Sequence, residues 1–527
     1  MLPIAMVVLP MFIAAVSLWV GARAENPDVA RDRQRALGRF SLVAMVPLAI
    51  MMLQATDAGE VAVVRLGNWP SPFAITLVVD RLSALMVTLT VVLTLFVEWG
   101  ARDGAEAEGP YFHPLLQFQV MGLNGAFMTG DLFNLFVFFE ILLIASYALL
   151  LFGQGKQRLR AALHYIVLNL VGSCLFLIAV GVIYGLLGTL NMADLAAKAA
   201  LVPAADAPLL KAGALLLLLV FGIKAAIVPV HLWLPSTYHA AAGPVSALFA
   251  IMTKVGMYAI IRVFIPIFGP GQGEVASVAE PWVLPVGLAT LVVGTLGVLA
   301  ANDFKKMLTY VVVASVGTQA IAVGLFTQQG LAAAVFYIAH STLLTAGFFL
   351  LADAVILRRG EVGGRLSAGP LIPSARALAV LYLVAAMSTV GLPPLSGFVG
   401  KALLLAAVPT AWQPAVWTVT IVTSFVMLVQ LARIGSVLFW NISSDREATP
   451  EVPPGVRSLA PAASLLTASV VISLFGQQLD TFSRATAAQI YDRARTIERV
   501  MTDAEPPPKD PQKKKAQKKA KKEGGDA

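Results

Sequence analysis

Apolar runs of about 20 residues, each long enough to cross a ~30 Å hydrocarbon core as a helix, recur along nearly the whole 527-residue chain. Inside lipid every backbone polar group needs an internal partner, and runs this long and continuously apolar meet that need as helices. The 58% hydrophobic and 13% charged content agrees; a soluble domain has about 45–50% and about 25%. The expected fold is all-α and polytopic.

Reading the runs between breakers gives about 14 spans, centred near residues 11, 48, 87, 121, 141, 175, 219, 253, 291, 317, 344, 390, 427 and 468. The first run has no basic residues before it and no small-residue cleavage site, so it reads as a retained helix. The single cysteine, Cys174, lies within another run, which leaves no cysteine pair within this chain.

Basic residues collect after span 1 (Arg23 to Arg39), span 5 (Lys156, Arg158, Arg160), span 9 (Lys305, Lys306) and span 11 (Arg358, Arg359, Arg365). All are odd-numbered exits, so the positive-inside rule makes them cytoplasmic and turns the N-terminus outward. The net charge of +8 is mostly local, because residues 509 to 522 hold eight lysines and one aspartate. That segment reads as a disordered tail with a choice of solvent, anionic lipid or a partner subunit; nucleic acid is not expected. After 14 crossings it would face outward, against the charge rule. Residues 481 to 502 are too polar to span and read as a surface helix.

A charge at the centre of a span costs at least ~2.5–3.5 kcal/mol, so each one points to function. Four stand out. Glu140 interrupts "TGDLFNLFVFFEILLIASYALLLF", nine residues past Asp131, which can cap the helix. Lys224 is the sole charge from Ala212 to Val230; Pro229 cannot donate to the carbonyl of Ala225, so the helix should kink or open there. Lys254 is near mid-span in "ALFAIMTKVGMYAIIRVF", whereas Arg262 is near enough to an end to snorkel. Lys401 follows "GLPPLSGFVG", in which Pro393 and Pro394 break the run and Gly397 and Gly400 leave room for close packing or water.

His340 is intramembrane and reads either as a proton carrier or as an imidazole bonding a neighbouring helix. His231 and His239 flank "LWLPSTY" as candidates for a proton entrance; His164 reads as a third or as a loop-packing residue. Asp80 is an accessory candidate near the outer end of span 3, pairing across subunits or simply interfacial. Asn302 and Asp303 read as a loop and helix start.

A buried lysine and a carboxylate ~4 Å apart attract by about 4 kcal/mol at an effective dielectric near 20, enough to hold or release a proton as the contact forms or breaks. Were Glu140 paired with Lys224, and waters to join Lys224, Lys254 and Lys401, a displacement at either end would propagate as proton hops. There is no catalytic nucleophile, no metal cage and no nucleotide-binding glycine loop, so no catalytic residue, metal or cofactor is expected. Spans 4 to 8 and 9 to 13 each place a proline-interrupted, lysine-bearing helix fourth, the pattern of an inverted repeat.

"TGDLFNLFVFFEILLIASYAL", "YGLLGTLNMADLA", "FGIKAAIVPVHLWLPSTYHAAAGPVSALFAIMTKVGMYAIIRVF", "DFKKMLTYVVVASVG" and "GLPPLSGFVGK" resemble the antiporter-like subunits shared by multisubunit cation/proton antiporters and respiratory complex I. The first two stretches are most similar to the D-type branch of the Mrp or Pha antiporters. The resemblance implies 14 helices with two inverted five-helix repeats and broken helices 7 and 12. It implies a proton-transfer row of Glu140, Lys224, Lys254 and Lys401, with Glu140 paired to Lys224 and with His340 as the helix-11 histidine. Many relatives have a lysine five residues after that histidine; here it is Thr345, so the path there would rest on His340, Ser341, Thr345 and water.

The domain division expected is residues 1–110 for the first three helices, 111–265 and 282–440 for the two repeats, 457–478 for the last helix, and 479–527 for surface helix and tail. The function implied is a proton-translocating subunit of a Na+(K+)/H+ antiporter, a secondary transporter rather than an enzyme. It would sit multi-pass in the bacterial inner membrane, assembled with the other Mrp or Pha antiporter subunits, those of types A, B, C, E, F and G. The alternative is a proton-pumping arm subunit of complex I or a membrane-bound hydrogenase, hence part of an oxidoreductase.

Overall fold

The structure, a computed structural model, describes residues 2–102, 104–441 and 458–502. The lysine-rich stretch expected to be disordered, residues 509–522, lies outside the described residues. In chain order the α-helices are α1 (Leu2–Arg23), α2 (Pro27–Asp57), α3 (Arg81–Gly100), α4 (Phe112–Met128), α5 (Leu132–Leu151), α6 (Lys156–Leu187) and α7 (Met192–Ala199). Next come α8 (Ala207–Ala225), α9 (Trp233–Ala240), α10 (Gly243–Leu248), α11 (Met252–Phe264), α12 (Glu280–Ala300), α13 (Phe304–Gly324) and α14 (Gln328–Arg358). The last six described are α15 (Ala375–Val390), α16 (Ser396–Ala407), α17 (Gln413–Phe439), α18 (Ala460–Leu474), α19 (Gly476–Tyr491) and α20 (Arg493–Thr502).

Each of the 14 expected centres falls in a helix. Among the described residues, 11 helical stretches are long and apolar enough to cross alone, or up to 12 if a bent pair counts as one. The others fall short for physical reasons. α4 has 17 residues and carries His113, Gln117, Gln119 and Asn124, all buried against protein. α15 and α16 have 16 and 12 residues because the chain breaks between them.

The bundle is all-helical as expected, with one short hairpin added in a connecting segment, where Ala62–Arg65 (β1) and Thr76–Val79 (β2) pair antiparallel, with Ala62 opposite Val79. The last apolar helix, α18, ends at Leu474 rather than near residue 478, and α19 departs from it at 82°. From Gly476 the run turns polar enough to lie against the protein's surface rather than in lipid.

Polar residues just before the helices cap them, as expected for Asp131 and for Asp303. Asp131 accepts from the Asn134 amide at 2.9 Å, Asp303 from that of Lys306 at 3.0 Å, and Asp80 from that of Ser83 at 2.9 Å. The helices sort by exposure. α10–α11, α13 and α14 are almost wholly enclosed, whereas α1, α2, α6 and α17 show wide apolar faces, with Phe12, Phe40, Leu170 and Phe425 exposed. Such a belt on the rim fits lipid as the surrounding solvent.

The two ends of the bundle are chemically distinct. At one, the basic loops are tied together: Arg158 meets Glu108 at 2.5 Å, His239 lies 3.4 Å from Asp303, the backbones at Asp303 and Arg365 pair as an isolated antiparallel β-bridge, and Lys305 donates to the Ala241 carbonyl. At the other, α20 is strapped to the loops after α2 and α11, with Arg65 donating to the Val500 carbonyl at 2.9 Å and Arg493 to that of Pro270 at 2.5 Å. The chain's start is at this second end too, since Asn124, near the close of α4, donates to the Met6 carbonyl at 2.9 Å. Both described ends therefore share the face opposite the basic loops, which requires an even number of crossings.

Candidate functional site

Glu140, on α5, does not touch Lys224: the two form no ion pair within 4.0 Å. They are joined through α6. Ser173 donates to the Glu140 carboxylate, Lys224 donates to Asn169 Oδ1 at 3.3 Å, and Ser173 also meets the Asn169 carbonyl at 3.0 Å. One helical turn of α6 thus spaces acid and base, and each finds a neutral hydrogen-bond partner instead of the other. The Lys224 ammonium also lies 6.0 Å from the centre of the Phe139 ring.

The helix opens next to Lys224. Ala226 takes φ 60°, ψ 46°, a left-handed conformation that ends α8 one residue after Ala225. The chain resumes as α9 at Trp233, whose indole donates at 2.8 Å to the Ile223 carbonyl, an acceptor at the end of α8 that it shares with the Ala226 amide. The backbone of α11 packs directly on this end. A Cβ on Gly256 would stand 2.4 Å from the Ala225 nitrogen. Lys254, on the same helix, is fully enclosed and has Thr253 Oγ1 at 3.4 Å as its described hydrogen-bond partner. A 3₁₀ turn, Phe249–Ile251, interrupts the helix just before it.

A second constellation surrounds the break between α15 and α16. Lys401 Nζ donates to the Val390 carbonyl at 2.6 Å and to Ser424 Oγ at 2.8 Å. Its ammonium therefore reads an acceptor that the broken helix cannot use. His340 Nδ1 is 2.8 Å from Ser396 Oγ, which lies 2.7 Å from Ser469 Oγ. Gln319 on α13 donates to Ser341 Oγ at 2.9 Å. His340, Ser341, Thr345, Tyr337 and Lys401 line one small cavity of about 20 Å³, room for about one water molecule. Gly397 serves close packing here, since a Cβ would meet the Ser388 carbonyl at 1.7 Å.

The candidate entrance residues divide. His164 and His239 line one open cleft of about 970 Å³ at the basic end, with Lys156, Arg160, Asp303 and Lys306. His231 lies outside its lining and is buried, with Nδ1 unpartnered. Asp80 is corrected: it pairs within its own chain, bidentate with Arg262, which also bonds Tyr258 Oη at 2.9 Å. Arg262 accordingly does not snorkel. A guanidinium fork on a carboxylate satisfies both groups better than a route to the interface.

Sequence reasoning found the charges and missed their neutral partners. Asn169, Ser173, Gln319, Ser396 and Ser469 lie in apolar runs, where a lone amide or hydroxyl gives little signal, because a helix can satisfy a hydroxyl with its own i−4 carbonyl. His113, Glu98 and Glu106 lie at or near helix ends, where polar side chains give no distinct signal, and the structure gathers them at the basic end, with His113 Nε2 2.9 Å from Glu106. No unbroken chain of hydrogen bonds joins Lys224, Lys254 and His340 among the described residues.

Residues 129–427 match the family described as NADH:quinone oxidoreductase/Mrp antiporter, transmembrane. The chain is 38% identical to the D component of a probable K+/H+ antiporter of Rhizobium meliloti, over 94% of this chain and 96% of that one. It is 34% identical to the D component of the Na+/H+ antiporter of Alkalihalophilus pseudofirmus, over 89% and 94%. A chain in the structure of the Mrp complex from Dietzia sp. DQ12-45-1b superposes with a TM-score of 0.83 at 30% identity, covering 95% of this chain and 99% of that one.

Proposed function

The chain belongs to the NADH:quinone oxidoreductase/Mrp antiporter membrane family, as a subunit of the D type, and from that premise we propose that it moves protons along a row of buried side chains. It is a multi-pass bacterial membrane subunit of a multisubunit Na+(K+)/H+ antiporter and works in a hetero-oligomer with the other subunits of that assembly. It is a transporter component rather than an enzyme.

The row runs Glu140, Lys224, Lys254, His340, Lys401. The observation that carries this reading is that its outer lysines each sit at a break in a helix: Lys224 directly before the turn at Ala226, and Lys401 on the carbonyl of Val390. Freed backbone groups and unsatisfied side chains at membrane depth create places where water can stand, and water is what a hop between groups more than 3.5 Å apart requires. The end members Glu140 and Lys401 are half-buried, while Lys224, Lys254 and His340 are enclosed, so protons arrive and leave at the flanks.

In this reading the even count of crossings is 14, with α4, α5, α6, α8–α9 and α10–α11 as the five spans of one inverted repeat and α12, α13, α14, α15–α16 and α17 as those of the other, the fourth span of each being the broken one. The domain limits are those of these repeats. Asn169 and Ser173 hold Glu140 and Lys224 apart in one state; closing the pair pulls a proton onto the lysine, and opening it drives the proton towards Lys254. Thr345 and the water-sized space beside it complete the step between His340 and Lys401. His164 and His239 admit protons from the cleft at the basic end, and His231 lies beyond them.

The test is collapse of a preformed ΔpH in everted vesicles on addition of Na+ or K+. Glu140→Ala and Lys224→Ala are each expected to abolish it while the complex still assembles. Full activity in an assembled variant would overturn the reading.

A further inference from the structure

A buried polar cluster lies apart from the row, where α2, α3 and α4 meet at the basic end. Glu98, near the end of α3, is 1% exposed, and neither carboxylate oxygen has a hydrogen-bond partner. Its nearest polar neighbours are His113 Nδ1 at 3.5 Å and Arg39 Nε at 3.6 Å. His113, also 1% exposed, places its other nitrogen 2.9 Å from Glu106, which Arg35 grips with two nitrogens. Arg35 is shared with Asp32 at 3.0 Å. Gln117 faces the same space and is already engaged, accepting from Ser41 at 2.9 Å and donating to the Gly38 carbonyl at 3.3 Å. Gly38 borders the same space, since a Cβ there would sit in ordinary contact with Glu98 at 3.5 Å and His113 at 3.7 Å.

This arrangement does not balance without one more proton. Glu106, held by Arg35, is an acceptor, so His113 Nε2 must carry hydrogen and donate to it. A neutral His113 then turns the lone pair of Nδ1 towards Glu98. Two acceptors facing each other across 3.5 Å in a buried site repel, and a Glu98 carboxylate without a donor is costly. One proton removes the conflict, carried by Glu98 and offered to Nδ1, or carried by Nδ1 and offered to Glu98. When it leaves, the remaining cation within reach of Glu98 is Arg39, whose side chain is 38% exposed and so has room to close in.

We propose that Glu98, His113 and Glu106 form a proton-binding site separate from the midline row, in which one proton is shared between Glu98 and His113 Nδ1 and its departure draws Arg39 onto Glu98. The ligand is a hydron taken from the aqueous phase at the basic end and returned there; no other group is consumed. The site makes the packing of α2 on α3 and α4 depend on protonation. The proposal rests on the transport reading only for its consequence, not for the binding itself.

Infrared difference spectra of the purified, assembled complex between acid and alkaline pH test it. A titrating carboxylic C=O band is expected in the native complex, absent in Glu98→Gln and displaced in His113→Asn. The antiport pH profile of Glu98→Gln should move towards acid by about one pH unit, because His113 Nδ1 loses the carboxylate with which it shares the proton. If the band persists unaltered in Glu98→Gln, or, should that variant not assemble, in His113→Asn, the site is structural and the proposal fails. Loss of the band in Glu98→Gln alongside a native complex that shows no antiport would instead sink the transport reading and leave the proton site standing.

Discussion

Asn169 has no charge and would be overlooked in most readings of this sequence, yet it is the side chain on which the Lys224 ammonium rests. A hydrogen bond to a charged group is worth about 1.5–3 kcal/mol, and losing it leaves the ammonium more dependent on Glu140. Asn169→Ala is therefore expected to lower the rate of cation-driven proton movement about tenfold, taking ~1.4 kcal/mol per factor of ten, with the complex still assembled. Initial rates of ΔpH collapse at equal subunit content measure it; an unchanged rate would remove α6 from the pathway. At this scale the sequence was readable where residues carry a visible cost. Glu140, Lys224, Lys254 and Lys401 announce themselves because charge inside an apolar run is strongly disfavoured. Asn169, Ser173 and Ser396 do not, and the direct Glu140–Lys224 contact implied by resemblance is replaced by the bridge through Asn169 and Ser173.

Elements matter through how they end. α8 stops because Ala226 adopts a left-handed conformation before Pro229, and α11 then lays the bare backbone of Gly256 against that end. Gly256→Ala would push a methyl to 2.4 Å from the Ala225 nitrogen and 2.8 Å from the Phe221 carbonyl oxygen, both backbone atoms that cannot swing aside. Overpacking of this kind costs about 1–3 kcal/mol or more. The expected result is a lower midpoint of thermal inactivation for the purified complex, together with weakened transport, since Lys224 and Lys254 sit on the two helices forced apart. Unchanged stability would mean that the two backbones are not in contact. Proline and glycine made the two breaks legible in advance. The β1–β2 hairpin was not, as its strands have four residues each, too short for alternation to stand out from the flanking apolar runs. The bend after α18 was missed because hydropathy records where polarity rises, not the direction the chain then takes.

For the whole molecule, the tie-down of α20 on the same face as the chain's start fixes an even number of crossings up to residue 502, in agreement with the 14 spans counted in the sequence, and leaves the basic loops together on the opposite face. The most enclosed helices, α11, α13 and α14, surround the middle of the row, Lys254 and His340, between the two broken helices that bear its outer lysines. Whether protons traverse that whole row is the central claim, and it separates a conduit from two unrelated polar pockets. Charge displacement recorded from proteoliposomes of the complex on a solid-supported membrane, after a Na+ or K+ jump, tests it most directly. The account predicts that Lys401→Ala at one end silences the transient as fully as Glu140→Gln at the other, with both variants assembled. A full transient from assembled Lys401→Ala, beside a silent Glu140→Gln, would contradict it.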